Sequence, residues 1–300
     1  MAESPIQYFN RYTGRIETEK VYGNAFLRFT YGNPIGLLAL HAIFKRAIFS
    51  RWYGWRMDRP ASRSKVRPFI QEYAVDVREF ADPPVSFHTF NEFFYRKLRP
   101  SARPVAADKR TAVFPADGRH LGFNDISKID AVFIKGQRFD LDKLIADRAL
   151  ADRFRDGSLV MSRLCPVDYH RFHFPVAGVP SAPQLLNGPL CSVNPIALRQ
   201  NLGYLIENKR WRCLVESPEF GAVLTFEVGA TCVGSTEYTF ASGQPVAKGA
   251  EKGFFKFGGS STITLFEKGR IQLAPDLLEN TKQLRELYTR VGDAMGRTMS

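Results

Sequence analysis

Helical spacing fills the first third of this chain and short strand-like runs fill the rest, and that switch constrains the fold more than any other feature. Leu37, Leu40, Phe44 and Ile48 recur at helical intervals, and 66–73 and 90–98 carry similar apolar faces. Thr89, three residues ahead of Glu92, reads as an N-cap for the last of these. Residues 1 to about 100 are therefore expected to be helical. Pro100 and Pro104 enclose Ser101 and Ala102 and mark a linker, dividing the chain into 1–105 and 106–300. Beyond about Ala112, the runs 159–162, 223–228, 232–238, 254–257 and 262–266 are short, apolar and punctuated by glycine and proline, which predicts strands. A helical interlude is expected at 141–154 and a polar terminal helix at 280–295.

Charge follows the same division. Between Lys20 and Arg67 ten basic residues face one acid, Asp58, so plus nine of the chain's net +12 lies in its first quarter. Phe29, Trp52, Tyr53 and Trp55 are interleaved with them, and the longest uncharged apolar run, 34–44, falls well short of the roughly 20 residues that a spanning helix needs. Basic and aromatic residues so mixed describe helices lying in a membrane interface, each basic group adding on the order of 1 kcal/mol on an anionic surface. A basic helical hairpin packed on the rest of the molecule is the alternative. Nucleic acid is not expected as a partner, because the apolar density is high and no recognition module is visible. Cys165, Cys191, Cys213 and Cys232 have no C-x-x-C spacing and read as reduced thiols. Five scattered histidines give no metal-site pattern, and residues 1–14 lack the apolar stretch of a signal peptide.

The chemistry concentrates in three short segments. Phe257, Gly258, Gly259, Ser260, Ser261 and Thr262 place a hydroxyl after two glycines and ahead of a strand. Taken alone this is a glycine-rich turn, but glycine also permits the bent backbone that a serine needs to attack the carbonyl before it. Phe114 to Gly118 (Phe-Pro-Ala-Asp-Gly) offers the Asp117 carboxylate on a turn. Cys165 to Pro175 holds Asp168, His170 and His173, with Phe172, Phe174 and Val176 alternating as in a strand, so the two imidazoles should meet different surroundings. Asp168 fits either capping of the turn or bonding to a histidine.

Together these segments resemble the motif set of the phosphatidylserine decarboxylases. The runs Val228 to Ser235, Lys248 to Phe257 and Phe90 to Pro104 also look like family segments in the expected order. The resemblance implies an α+β fold: N-terminal membrane-associating helices, then a β-rich catalytic body whose C-terminal small subunit contributes a strand. It implies self-cleavage between Gly259 and Ser260 into 1–259 (β subunit) and 260–300 (α subunit), with Ser260 becoming a pyruvoyl group that forms a Schiff base with the substrate amine. His173 would be the base and Asp117 its orienter, completing a self-cleavage triad with Ser260. His170 would supply the proton for decarboxylation. Ser260 is preferred to Ser261 because Gly259 precedes it. The implied reaction is conversion of phosphatidylserine to phosphatidylethanolamine and CO2, peripherally on the cytoplasmic side of the cell membrane, with no metal. A homodimer is left open.

Two other classes fit parts of the sequence. A hydrolase could use Ser260, His173 and Asp117 without cleavage, although 258–262 lacks the second glycine of a Gly-x-Ser-x-Gly elbow. A catalytically silent membrane-binding scaffold would need only the N-terminal region.

Overall fold

A computed structural model describes residues 5–40, 47–131, 139–198, 201, 203–230, 236–258 and 260–299. The chain opens with a hairpin, β1 (Gln7–Asn10) and β2 (Arg15–Thr18), turned by Gly14 at φ 63°. Helices α1 (Asn24–Gly32), α2 (Pro34–Ala39), α3 (Ala47–Met57), α4 (Val66–Tyr73) and α5 (Phe90–Phe94) follow. Next come β3 (Thr111–Val113), β4 (Gly118–Phe123), α6 (Leu141–Ile145), α7 (Arg148–Phe154), β5 (Ser158–Leu164) and β6 (Arg171–His173). The middle of the chain supplies β7 (Val179–Pro180), β8 (Gln184–Leu186), α8 (Pro195–Leu198), α9 (Gly203–Glu207), β9 (Arg210–Ser217) and β10 (Gly221–Val228). The last third holds β11 (Thr236–Tyr238), β12 (Glu251–Phe255), β13 (Ser260–Phe266), β14 (Ile271–Leu273), α10 (Pro275–Lys282), β15 (Glu286–Thr289) and β16 (Ala294–Thr298).

Mixed α+β architecture follows, with a large β-rich body. The main sheet runs β2-β1-β15-β4-β5-β13-β10-β9-β7, and β8 also pairs with β9. All its pairings are antiparallel except β1 with β15. Two smaller sheets, β11-β12-β6 and β14-β16-β3, complete the body. Strand β13 is buried along its whole length. Its Ile263 and Leu265 join Phe226, Leu159 and Phe154 in one core, whereas Phe266 joins Val160, Val223 and Phe174 in another. Each such side chain taken from water contributes about 1.5–3 kcal/mol, so the strand that begins at Ser260 is held firmly from both faces.

Several expectations meet the structure as stated and others need correction. The Thr89 cap forms, its Oγ1 accepting from Glu92 N at 3.1 Å, but the helix stops at Phe94 rather than continuing to 98. Residues 1–100 are not wholly helical: β2 is an edge strand paired with β1, and the other partner of β1, β15, lies almost at the other end of the sequence. The expected single helix at 141–154 is two, broken where Ala146 takes φ 55° and Asp147 caps the next turn through Leu150 N. The terminal helix expected at 280–295 is corrected most. Helix α10 ends at Lys282, Leu284 turns at φ 56°, and the remainder forms β15 and β16 because Leu287, Thr289 and Met295 bury into the body. Phe44, Cys232 and Gly259 lie outside the described residues. Cys165, Cys191 and Cys213 are buried.

Strand β4 carries a titratable group with a consequence for stability. His120 is fully buried, its Nδ1 2.9 Å from Ser162 Oγ, and burial pushes its pKa down to about 3 against a weaker opposing pull from the Thr289 backbone. An unfolded histidine titrates near 6.5, so below that pH the unfolded chain binds a proton that the folded chain refuses, and stability falls by about 1.4 kcal/mol per pH unit for each such histidine. Chemical denaturation of His120→Asn between about pH 6.5 and 4.5 should therefore show a slope shallower than that of the unaltered protein by about one proton. An unchanged slope would contradict the neutral, buried state of His120.

Candidate active site

Only 256–259 separate β12 in the small sheet from β13 in the main sheet, so this crossover brings the two sheets together at Ser260. It is pinned on its N-terminal side. Phe257 N donates to the buried Asn91 Oδ1 at 2.9 Å, and the Phe257 ring lies among Phe94, Phe90, Tyr53 and Tyr22 at centroid distances of 4.8, 5.1, 5.6 and 5.7 Å. Gly258 follows at φ 141°, a conformation that a side chain resists. Ser260 then starts β13 opposite Leu164, fully buried, with its Oγ bonded to nothing. Ser261 is paired opposite Arg163 and Val228. Gly259, the other member of the expected cleavage pair, is outside the described residues.

The two histidines share one electronic arrangement. His173 Nδ1 lies 2.9 Å from the Gly249 carbonyl, and His170 Nδ1 lies 3.0 Å from the Asp168 carbonyl. A carbonyl can only accept, so each Nδ1 carries the proton and each Nε2 presents a bare lone pair. Both Nε2 atoms are buried without a partner. Burial lowers the pKa of His173, partly offset by the Gly249 carbonyl, Glu251 and Asp117. Burial drives His170 to about 3, the Asp168 backbone opposes it, Arg96 adds to it and the Gly258 backbone opposes it. Their surroundings differ as expected: the His170 ring stacks 3.8 Å from Phe94, whereas His173 ends β6 with Tyr169 5.8 Å away.

Asp117 sits close to this pair but does not touch it. The Pro115 carbonyl accepts from His173 N at 2.7 Å, which fixes the Asp117 turn against β6. Its carboxylate is claimed by Arg103, with Nε at 2.9 Å and Nη2 at 2.6 Å, and by Val291 N at 2.9 Å. None of these bonds goes to His173, and the orienting bond expected from Asp117 is made by the Gly249 carbonyl. Gly118 is needed beside it because a Cβ there would stand 2.4 Å from the Arg163 carbonyl. Asp168 does both things considered for it: its side chain accepts from Cys165 N at 2.6 Å and from Arg119, while its carbonyl orients His170. Arg103, Asn91 and Phe257 were not singled out as site residues by sequence. They lie inside segments whose family likeness was visible, but their partners are distant in the chain.

A cavity of about 380 Å3 adjoins the crossover at Phe257 and Gly258. Leu27, Leu40, Phe49 and Tyr53 make its wall apolar, while Lys20 and Asn194 bring polar atoms to it. Outside it, α1–α3 expose Phe29, Ile35, Leu38, Ile48, Trp52 and Trp55, and the guanidinium groups of Arg56 and Arg59 cover the Trp52 and Trp55 rings at 5.2 and 4.1 Å. No helix among the described residues is long and apolar enough to cross a membrane. No cluster of three or more His, Cys, Asp or Glu side chains able to hold a metal occurs among the described residues.

A family profile described as phosphatidylserine decarboxylase matches residues 90–297, a stretch that includes Asp117, His170, His173 and Ser260. A phosphatidylserine decarboxylase proenzyme from Fusobacterium nucleatum is 41% identical over 291 residues, covering 97% of each chain. Proenzymes of the same name from Desulfitobacterium hafniense and Chlamydia trachomatis are 40% and 39% identical, the first covering 97% of this chain and 98% of its own, the second the whole of both. The profile match over 90–297 and likeness of about 40% over nearly the full length place this chain in the phosphatidylserine decarboxylase family of enzymes.

Proposed function

We propose that this protein converts phosphatidylserine to phosphatidylethanolamine and CO2 after cutting its own chain between Gly259 and Ser260. The observation that carries this is the buried, unpartnered Ser260 Oγ at the start of β13, two residues after Gly258, whose backbone interacts with His170. Buried polar atoms are ordinarily bonded, so an open serine hydroxyl directly after the Gly258 turn suits chemistry better than packing. A hydrolase would need solvent at the serine, which its full burial opposes.

In self-cleavage His173 Nε2 takes the Ser260 Oγ proton and Oγ attacks the Gly259 carbonyl. The amide between the two residues gives way to an ester. Loss of the Ser260 Cα proton then expels the Gly259 carboxylate, and hydrolysis of the dehydroalanine left behind releases ammonia and leaves a pyruvoyl group at the new N-terminus. When present, that group supplies an electrophilic carbonyl that can hold a substrate amine and accept electrons as CO2 departs. The unpartnered Oγ and the glycine at φ 141° fit its formation. His170 delivers the proton to carbon, its bare Nε2 first taking one up. Its ring is oriented by the Asp168 carbonyl and shielded from water by Phe94.

The N-terminal region, 1–105, serves in this proposal to seat the enzyme peripherally on the cytoplasmic face of the membrane, and 106–300 forms the catalytic part. Exposed Trp52, Trp55, Ile35 and Leu38 enter the interface while Arg51, Arg56, Arg59 and Arg63 meet anionic lipid. The apolar cavity behind these helices leads to Gly258, which fits a lipid as substrate.

Variants divide the chemistry. Ser260→Ala and His173→Ala should remain single full-length chains on denaturing gels. His170→Ala should cleave but lose decarboxylation by roughly 10²–10⁴-fold, and an uncleaved His170→Ala protein would contradict this division of labour. The double variant Trp52→Ser/Trp55→Ser should sediment with anionic vesicles at least about tenfold more weakly, since each indole buries apolar area on docking. Raised salt should weaken it further. Undiminished binding under both conditions would remove the membrane role of these helices.

A further inference from the structure

Among the buried arginines of the described residues, Arg96 stands apart. Arg119, Arg163 and Arg171 each lie within ion-pair reach of a carboxylate, and Arg210 donates to the backbone carbonyls of Leu144, Asn208 and Lys143. Arg96 has no carboxylate within ion-pair reach and only one weak backbone partner. It is 5% exposed, its Nη1 makes one long bond of 3.4 Å to the Phe93 carbonyl, and its Nε is unbonded. The Phe80 and Phe93 rings hold the guanidinium carbon at 4.8 and 5.0 Å. Burial lowers its pKa to about 10, so it remains a cation at neutral pH. An ion buried without a counter-charge is strongly disfavoured, and removing water from it heightens its attraction for any anion that arrives.

Its place in the fold says which anion. Arg96 follows α5, two residues beyond the Phe94 ring that stacks on His170. Its charge is felt by His170, and it in turn feels Asp117 and Asp168, but neither carboxylate reaches it: Asp117 is held by Arg103 and Asp168 by Arg119. The cation therefore belongs to the His170 side of the site, where the headgroup must lie if His170 is to reach its carbon. We propose that Arg96 is the anion anchor of this enzyme, pairing its guanidinium with an anionic oxygen group of the bound headgroup beside His170, and this rests on the decarboxylase reading above. A planar fork suits two oxygens of one carboxylate or one phosphodiester, and the substrate carries both. The product keeps the phosphodiester and lacks the carboxylate, which separates the two.

The test uses processed enzyme, with phosphatidylserine in mixed detergent micelles as substrate and phosphatidylethanolamine as inhibitor. Arg96→Gln should cleave as the unaltered chain does and raise KM by roughly 10- to 100-fold, with kcat falling less. Arg96→Lys should recover part of the loss. If the anchor holds the phosphodiester, inhibition by phosphatidylethanolamine weakens by a similar factor; if it holds the carboxylate, that inhibition is unchanged while KM still rises. KM and product inhibition both unchanged would overturn the proposal. So would an Arg96→Gln chain that stays uncleaved while Arg96→Lys cleaves, since that places the residue in self-cleavage. Should Arg96→Gln not accumulate folded, Arg96→Lys carries the test alone: a several-fold rise in KM supports the anchor and an unchanged KM overturns it. An unaltered enzyme that is uncleaved, or inactive on phosphatidylserine, would instead defeat the decarboxylase reading before any variant is compared.

Discussion

Strand β13 is the constraint on which the rest depends. It runs antiparallel between β5 and β10, buried from Ser260 to Phe266, and its ladder fixes where Ser260 can be. The residues beyond it are woven through the body: β14 and β16 form a sheet with β3, and β15 lies between β1 and β4. Arg163, opposite Ser261, ties Glu19 near the N-terminus to Glu286 on β15 at 2.7 and 2.5 Å. A break at 259/260 would leave all these ladders intact. Cleavage could thus free a chain end without freeing a fragment.

Around that fixed strand, backbone carbonyls rather than carboxylates prepare the two imidazoles. The Gly249 and Asp168 carbonyls set the tautomers, and burial keeps both rings neutral. Neutral rings with exposed lone pairs are bases in waiting. Asp117 is an anchor for Arg103, which also reaches Glu79 at 2.9 Å, so the turn, the linker and the helical region are joined at one guanidinium.

What could be read from sequence was whatever is local. Strand β13 announces itself through β-branched alternation and a glycine-bounded start, and Thr89 and Glu92 form their cap within one turn. The hairpin β1-β2 escaped because its residues are half polar and its stabilising partner, β15, is about 280 positions away, Tyr8 pairing with Glu286. For the same reason 280–295 looked like a polar helix: only once folded does the alternation Leu287, Thr289 face the core. In the site, Asp117, His170, His173 and Ser260 were legible as residue types in recognisable company. The Gly249 carbonyl that takes the orienting bond has no side chain to signal it, and the isolation of Arg96 is a property of packing alone.

Everything proposed for this enzyme turns on the new chain end at Ser260. Intact-mass measurement of active, purified protein under denaturing conditions should give two species, the smaller being 260–300 and lighter by one ammonia than the same peptide beginning with serine. It should also react with a carbonyl reagent. A smaller species with a free serine N-terminus, or full activity from one unbroken chain, would contradict it.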